Sequence, residues 1–85
     1  MSEPKHDEAL VNHFLERISA LSVSAFDGAD VSGELAQTMR EATSRADAAT
    51  LQVLAQRLRE RVEAAEREGQ ALVRDTFAKA VTLAK

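Results

Sequence analysis

The sequence predicts an all-α chain, folded as a helical hairpin or a short three-helix arrangement with a long C-terminal helix. Three observations carry this. Large apolar residues recur at steps of three and four along most of the chain, which marks single faces of helices. The few β-branched residues fall inside those periods, so no segment reads as a strand. Among 85 residues there are three Gly and one Pro, so few positions force the chain out of a helix.

Length and composition limit what such a chain can build. It is one small domain at most. Apolar residues make up 45 % of the chain, but 16 of them are Ala, leaving 21 Val, Ile, Leu, Met and Phe after Met1. A chain of this size buries only about 60–65 % of its unfolded surface, so a lone monomer is marginally stable. There is no Cys, which excludes disulfides and thiolate metal sites. Helix packing or self-association is left to stabilise the fold.

Residues 1–7 read as a disordered polar tail, and 8–85 as a single helical domain. Pro4 suits a position before a helix or in its first turn. The first helix, about residues 8–26, carries Val11, Phe14, Leu15, Ile18, Leu21 and Ala25 on one face, with Asn12, Glu16, Arg17 and Ser19 on the other. Its pattern weakens over Leu21–Phe26, where Ser and Val are poorer helix formers. Asp27-Gly28 then supplies turn chemistry.

A second helix, about 31–43, follows Val31, Leu35, Met39 and Ala42. Asp30 or Ser32 is positioned to cap it. Between Thr43 and Thr50 the large apolar residues stop. Asp47 can cap a new helix there, yet no Gly or Pro forces a turn, so a bend and a continuous helix both stay open.

The third helix, about 47–84, has the strongest pattern. Leu51, Leu54, Leu58, Val62, Ala65, Gly69, Leu72 or Val73, Phe77 and Val81 hold one face, at a period nearer 3.6 than a strict heptad. Opposite them, residues 57–68 are mostly Arg and Glu. Glu63 stands four residues before Arg67, the favourable order for a helical ion pair, which contributes about 0.2–0.5 kcal/mol.

The chemistry-bearing residues form no catalytic pattern, so no enzyme and no cofactor is expected. His6 and His13 are the only imidazoles and match no metal-ligand spacing. Gly28 and Gly33 are isolated and make no phosphate loop. Arg57, Arg59, Arg61, Arg67 and Arg74 form the one basic cluster, but Glu60, Glu63, Glu66 and Glu68 interleave with it. There is no Tyr or Trp for base stacking, and net charge is −3, so no nucleic-acid partner is expected. Apolar runs of at most three residues fall far short of the about 18 needed for a membrane span. The polar, acidic N-terminus is followed by no apolar stretch, so no cleavable signal peptide is expected.

Function therefore falls to the apolar stripes. They close either a core within the chain or a face completed by another chain. The candidate assembly or partner interface is Leu51, Leu54, Leu58, Val62, Leu72, Val73, Phe77, Val81 and Leu83. The partner is a second copy of the chain or a helical protein.

An ordered set of residues sharpens that choice. Phe26-Asp27-Gly28, Gly33-Glu34-Leu35, the trio Leu51, Leu54 and Gln56, and Leu72-Val73-Arg74-Asp75 resemble the needle-subunit family of bacterial type III secretion systems. The resemblance covers roughly residues 20–85. It implies a non-enzymatic, self-assembling structural subunit that packs through its C-terminal helix, exported by a route independent of a signal peptide. It also implies that polar side chains such as Arg74 and Lys79 line a channel. An inner-rod protein or a needle chaperone fits the same residues comparably. The alternative is a cytoplasmic helical interaction module, such as a chaperone, adaptor or dimeric regulator, using the same stripes.

Overall fold

A computed structural model describes residues 6–84 of the chain. Within them the fold is all-α, with four helices and no strand. These are α1 (Glu8–Phe26), α2 (Ser32–Arg45), α3 (Ala48–Arg67) and α4 (Ala71–Leu83).

The start of α1 is capped from inside the expected tail. Asp7 is extended, and its carboxylate accepts a hydrogen bond from the Leu10 amide at 3.1 Å, satisfying one of the free donors of the first turn. The Asp7 amide itself donates to Thr50 Oγ1 at 2.9 Å. The disordered tail therefore does not extend to residue 7, because a cap and a long-range hydrogen bond hold it. The rest of that expectation, residues 1–5, lies outside the described residues.

At its other end α1 leaves through a left-handed glycine. Gly28 has φ of +96°. Its amide donates to Ala25 O, and the Ala29 amide reaches back to Ser24 O, both at 3.0 Å. That pair of bonds is the Schellman arrangement, which satisfies carbonyls that the last turn would otherwise leave free. Asp30 then orders the start of α2 by accepting from the Ser32 amide at 3.1 Å.

The open question at residues 43–50 resolves as a break. Ala46 and Asp47 are both extended, with ψ of 140° and 176°. No Gly is needed, because Asp47 turns its carboxylate onto the Thr50 amide at 2.8 Å and so starts α3 afresh.

The single C-terminal helix expected over 47–84 is instead a hairpin of two. Gly69 has φ of +72°. The Gln70 amide donates to Ala65 O at 2.9 Å and the Gly69 amide to Glu66 O at 3.2 Å, a second Schellman exit. Gly69 fell on the apolar stripe because it stands at helical spacing. In the fold it is the residue that ends the helix.

Hydrogen bonds between helices give the directions. Asp7 and Glu8 meet Thr50 and Arg57, and Arg61 reaches Ser19, so α1 and α3 run the same way. Arg17 bonds Glu41 and Thr38, so α2 runs back along α1. The tight turn at Gly69 sends α4 back along α3. α1 and α4 pack directly on each other, with α3 on one side of the pair and α2 on the other. The bundle is elongated, 47 × 27 × 20 Å.

Its core draws on all four helices: Val11, Phe14, Leu15 and Ile18, Leu35 and Met39, Leu54 and Leu58, and Phe77. Ala42, Ala65 and Ala80 are buried among the larger groups, where small side chains let helices approach closely. The buried hydroxyls are all satisfied. Ser22 donates to Ser19 O, Thr38 to Glu34 O and Thr76 to Leu72 O, while Thr50 accepts from Asp7.

Candidate interaction surface

The bundle divides the nine predicted interface residues into three groups. Leu54, Leu58 and Phe77 lie inside the chain's own core, at most 2 % exposed. Leu51, Val62, Val73, Val81 and Leu83 are half-buried and pack against that core. Leu72 stands 46 % exposed. The stripe is therefore not one open assembly face. Once Gly69 folds α4 back on α3, the strongest apolar positions of both helices turn toward each other and toward α1.

Arg74 and Lys79 are presented to different sides of α4 within one chain. Five residues apart, they stand about 140° apart around α4. The Arg74 guanidinium is engaged by the neighbouring Asp75 carboxylate, at 2.9 and 3.1 Å, and Lys79 is exposed.

Four of the five arginines of the cluster, Arg57, Arg59, Arg61 and Arg74, are likewise taken up by local structure. Arg57 donates twice to the Glu8 carboxylate, at 2.9 and 3.3 Å. Together with His6, it holds the Glu8 carboxyl down at about 2. Arg61 lies over the Phe77 ring at 5.9 Å, and Arg59 bonds Gln56 one turn back. Glu63 and Arg67 form no ion pair. On the other side of the bundle, Arg17 and Arg45 both lie over the Phe14 ring, at 5.7 and 5.8 Å. Arg17 also pairs with Glu41 at 2.9 Å, which lowers the Glu41 carboxyl below its ordinary value. His13 meets the edge of the same ring and stays exposed. Among the described residues, no group of three or more His, Asp or Glu is gathered in metal-binding geometry.

Two open grooves flank the C-terminal end of α4. One, between α2 and α4, has a volume of about 490 Å³ and is lined by Ala36, Met39, Arg40, Thr43, Ser44 and Leu83. The other, between α3 and α4, has about 450 Å³ and includes Leu51, Ala55, Val81 and Ala84. Leu51, Val81 and Leu83 of the predicted interface thus border concave apolar surface.

The most exposed large apolar groups are ones the stripe analysis passed over. Phe26 is 73 % exposed and Val23 is 63 % exposed, at the C-terminal end of α1. They are three residues apart and share a face. A signal for them exists in the sequence. Both fall off the Val11–Phe14–Ile18–Ala25 stripe, and an apolar residue off the stripe of an amphipathic helix is a candidate for contact outside the core.

No protein-family model matches the chain, and no curated protein or solved structure matches it significantly.

Proposed function

We propose that this chain is a small, non-enzymatic helical interaction module. The observation that carries this reading is the exposure of Phe26 and Val23 beside a core that is already closed. The buried polar side chains are satisfied and the stripes of all four helices meet each other, so these two residues are not needed to hold the fold. Aromatic residues exposed next to polar surface are frequent anchors at protein interfaces.

The self-assembling subunit implied by the resemblance to needle proteins is kept as a second reading. It requires a contact surface other than Leu54, Leu58 and Phe77, which the monomer uses for itself. Export without a signal peptide goes with that second reading, and a cytoplasmic place with the first.

A photo-crosslinking amino acid placed at position 26, in cells that produce the protein, tests the proposal. The expected outcome is a discrete crosslinked product that disappears when the probe is moved to exposed Gln52 on α3. Equal, diffuse labelling from both positions would overturn it.

A further inference from the structure

We infer that the surface of Val23 and Phe26 receives the apolar side of a cationic amphipathic helix from a different protein. This inference rests on the interaction-module reading and names the chemistry of the partner.

The surface has a defined place in the bundle. Val23 and Phe26 follow Ser19 by four and seven residues, so all three share one side of α1. Ser19 meets Arg61 of α3, so Val23 and Phe26 stand along the seam between α1 and α3. The two helices run the same way, so the α3 residues level with Phe26 come after Arg61. Glu68, seven residues on, shares the Arg61 side of α3. Glu16, seven residues before Val23, shares its side of α1, and Asp27 follows Phe26 directly. Among the described residues these three carboxylates have no ion-pair partner. The cation on this stretch of the seam is Arg61, which is engaged by Ser19 and lies over the Phe77 ring.

The half of the molecule around this surface is acidic. Arg61 meets both Ser19 and Phe77, and Arg17 meets Thr38, so these contacts mark the middle of the bundle. The half that holds the turns at Gly28 and Gly69, residues 20–38 and 60–77, carries eight carboxylates and three arginines. Lys79 approaches Asp30 from across the middle, and counting it leaves eight against four. The other half of the described chain has five carboxylates and six Lys or Arg. The described chain begins and ends in that other half, where Asp7 bonds Thr50 and Ala84 lies beside Ala48. Phe26 is about 28 Å from Asp7 along α1, whereas five fully extended residues reach at most about 18 Å. The charges of residues 1–5 and 85 therefore leave the surroundings of Phe26 unchanged.

An exposed apolar pair in an acidic surround selects its partner by charge. Nucleic acid and anionic lipid, both rich in phosphate, are repelled. A strand finds no sheet edge to extend among the described residues, whereas apolar groups one turn apart on a helix fit between the side chains of a second helix. Lys or Arg flanking the apolar side of that helix meets Glu16, Asp27 and Glu68. A second copy does not supply such a helix. The most basic helices of this chain, α3 and α4, exceed charge balance by one each.

Binding of synthetic peptides to the full chain tests this, followed by titration calorimetry and by amide chemical shifts. A helix of about 18 residues, with Leu on one side and Lys on the other, is long enough to form alone. It is expected to bind, with shifts concentrated in residues 20–28 and 61–69. The same helix with Glu for Lys is expected not to bind, and a scrambled Leu–Lys order to bind about tenfold more weakly. Phe26→Ser, at an exposed position, is expected to weaken binding roughly ten- to thirtyfold. Asp27→Asn with Glu68→Gln, and Gln52→Lys with Gln56→Lys, change the net charge equally but in different halves. All four positions are exposed. The first pair is expected to weaken binding about threefold, and the second to leave it unchanged within about twofold. Circular dichroism checks that each variant stays helical.

A Leu–Lys helix that does not bind at millimolar concentration overturns the inference, as does equal binding of the Glu version. So do shifts centred on the grooves beside α4, or a Phe26→Ser variant that binds as tightly as the wild type. If position 26 crosslinks a discrete partner while the Leu–Lys helix does not bind, the cationic helix falls and the module reading stands. If that discrete product is a second copy of this chain, the cationic helix falls as well. If position 26 gives no discrete product and the peptide does not bind, both readings fall.

Discussion

The two hairpins of this bundle turn through the same device, yet only one of the turns is plain in the sequence. At Gly28 and at Gly69 a left-handed glycine follows the last helical turn, and two amides reach back to the carbonyls left free there. Before Gly28 the apolar period fades and Asp-Gly announces a turn. Across Gly69 the period runs on, from Val62 and Ala65 to Leu72, Val73 and Phe77. The comparison teaches that periodicity reports which residues share a face, while the exit of a helix is set by backbone conformation. A stripe can continue in phase through a reversal of the chain.

The largest expected effects come from the cores of the two hairpins. Leu58→Ala removes a fully buried side chain of α3, and such truncations cost about 2–5 kcal/mol. Leu35→Ala makes the same change in α2, which packs on α1 and α4 from the outside. Because α2 packs less extensively on those two helices than α3 does, it can settle into the space, and its loss is expected at the lower end of that range. Urea unfolding of both variants measures the difference. A larger loss for Leu35→Ala would show that α2 is anchored more firmly than α3.

The turns themselves should respond alike. An alanine at either glycine must hold a left-handed conformation, which costs about 1–2 kcal/mol. Beyond the adjoining residues of the chain, nothing lies within 4 Å of the added Cβ at either position, so the penalty is conformational and carries no clash. Gly28→Ala and Gly69→Ala are expected to destabilise equally within error. If Gly69→Ala is instead neutral, α3 and α4 merge more easily than the Schellman bonds imply.

The helix starts give a smaller contrast. Asp47→Ala removes the acceptor for the Thr50 amide, and Asp30→Ala removes that for the Ser32 amide. Loss of an N-terminal cap in a domain of this size lowers the melting temperature by about 4–8 °C; Asp47 is such a cap, whereas Asp30 stands one residue before Val31, the cap position of α2. Asp47 is expected to have the larger effect, since its bond at 2.8 Å is shorter than that of Asp30 at 3.1 Å and starts the longest helix. Thermal melts of the two variants decide it.

The fold class was legible because amphipathic spacing is a local property, and Val11, Phe14 and Ile18 or Leu51, Leu54 and Leu58 show it directly. The break at Ala46–Asp47 was half legible. Asp47 offers a cap, but nothing local says whether the chain will use it, and that depends on α1 lying close enough for Asp7 to bond Thr50. The candidate surface was the least legible. Leu54, Leu58 and Phe77 present the same pattern whether they meet another chain or their own, and the reversal at Gly69 decides between those. Phe26 and Val23 are conspicuous only after the core has been assigned and they are left over.

Acid should loosen the seam between the two hairpins. Glu8 of the first hairpin accepts two hydrogen bonds from Arg57 of the second, and its carboxyl falls from the ordinary 4.5 to about 2, mainly through that guanidinium and then through His6. Between those two pH values the unfolded chain binds a proton at this site and the folded chain does not. Stability therefore rises with pH through the window. The contribution is fully present above pH 4.5 and is lost as pH falls toward 2. Arg57→Gln removes the partner that holds Glu8 ionised, so its stability should depend less steeply on pH in that window. The Arg17–Glu41 pair lies within the first hairpin and lowers Glu41 in the same direction, so Arg17→Gln also flattens the profile but leaves the seam intact. Both pairs are solvent-exposed, so salt should shrink both effects. Chemical unfolding across pH 2–5 for the wild type and the two variants separates the contributions. A wild-type profile unchanged by Arg57→Gln would mean that the Glu8–Arg57 pair adds nothing to the join between the hairpins.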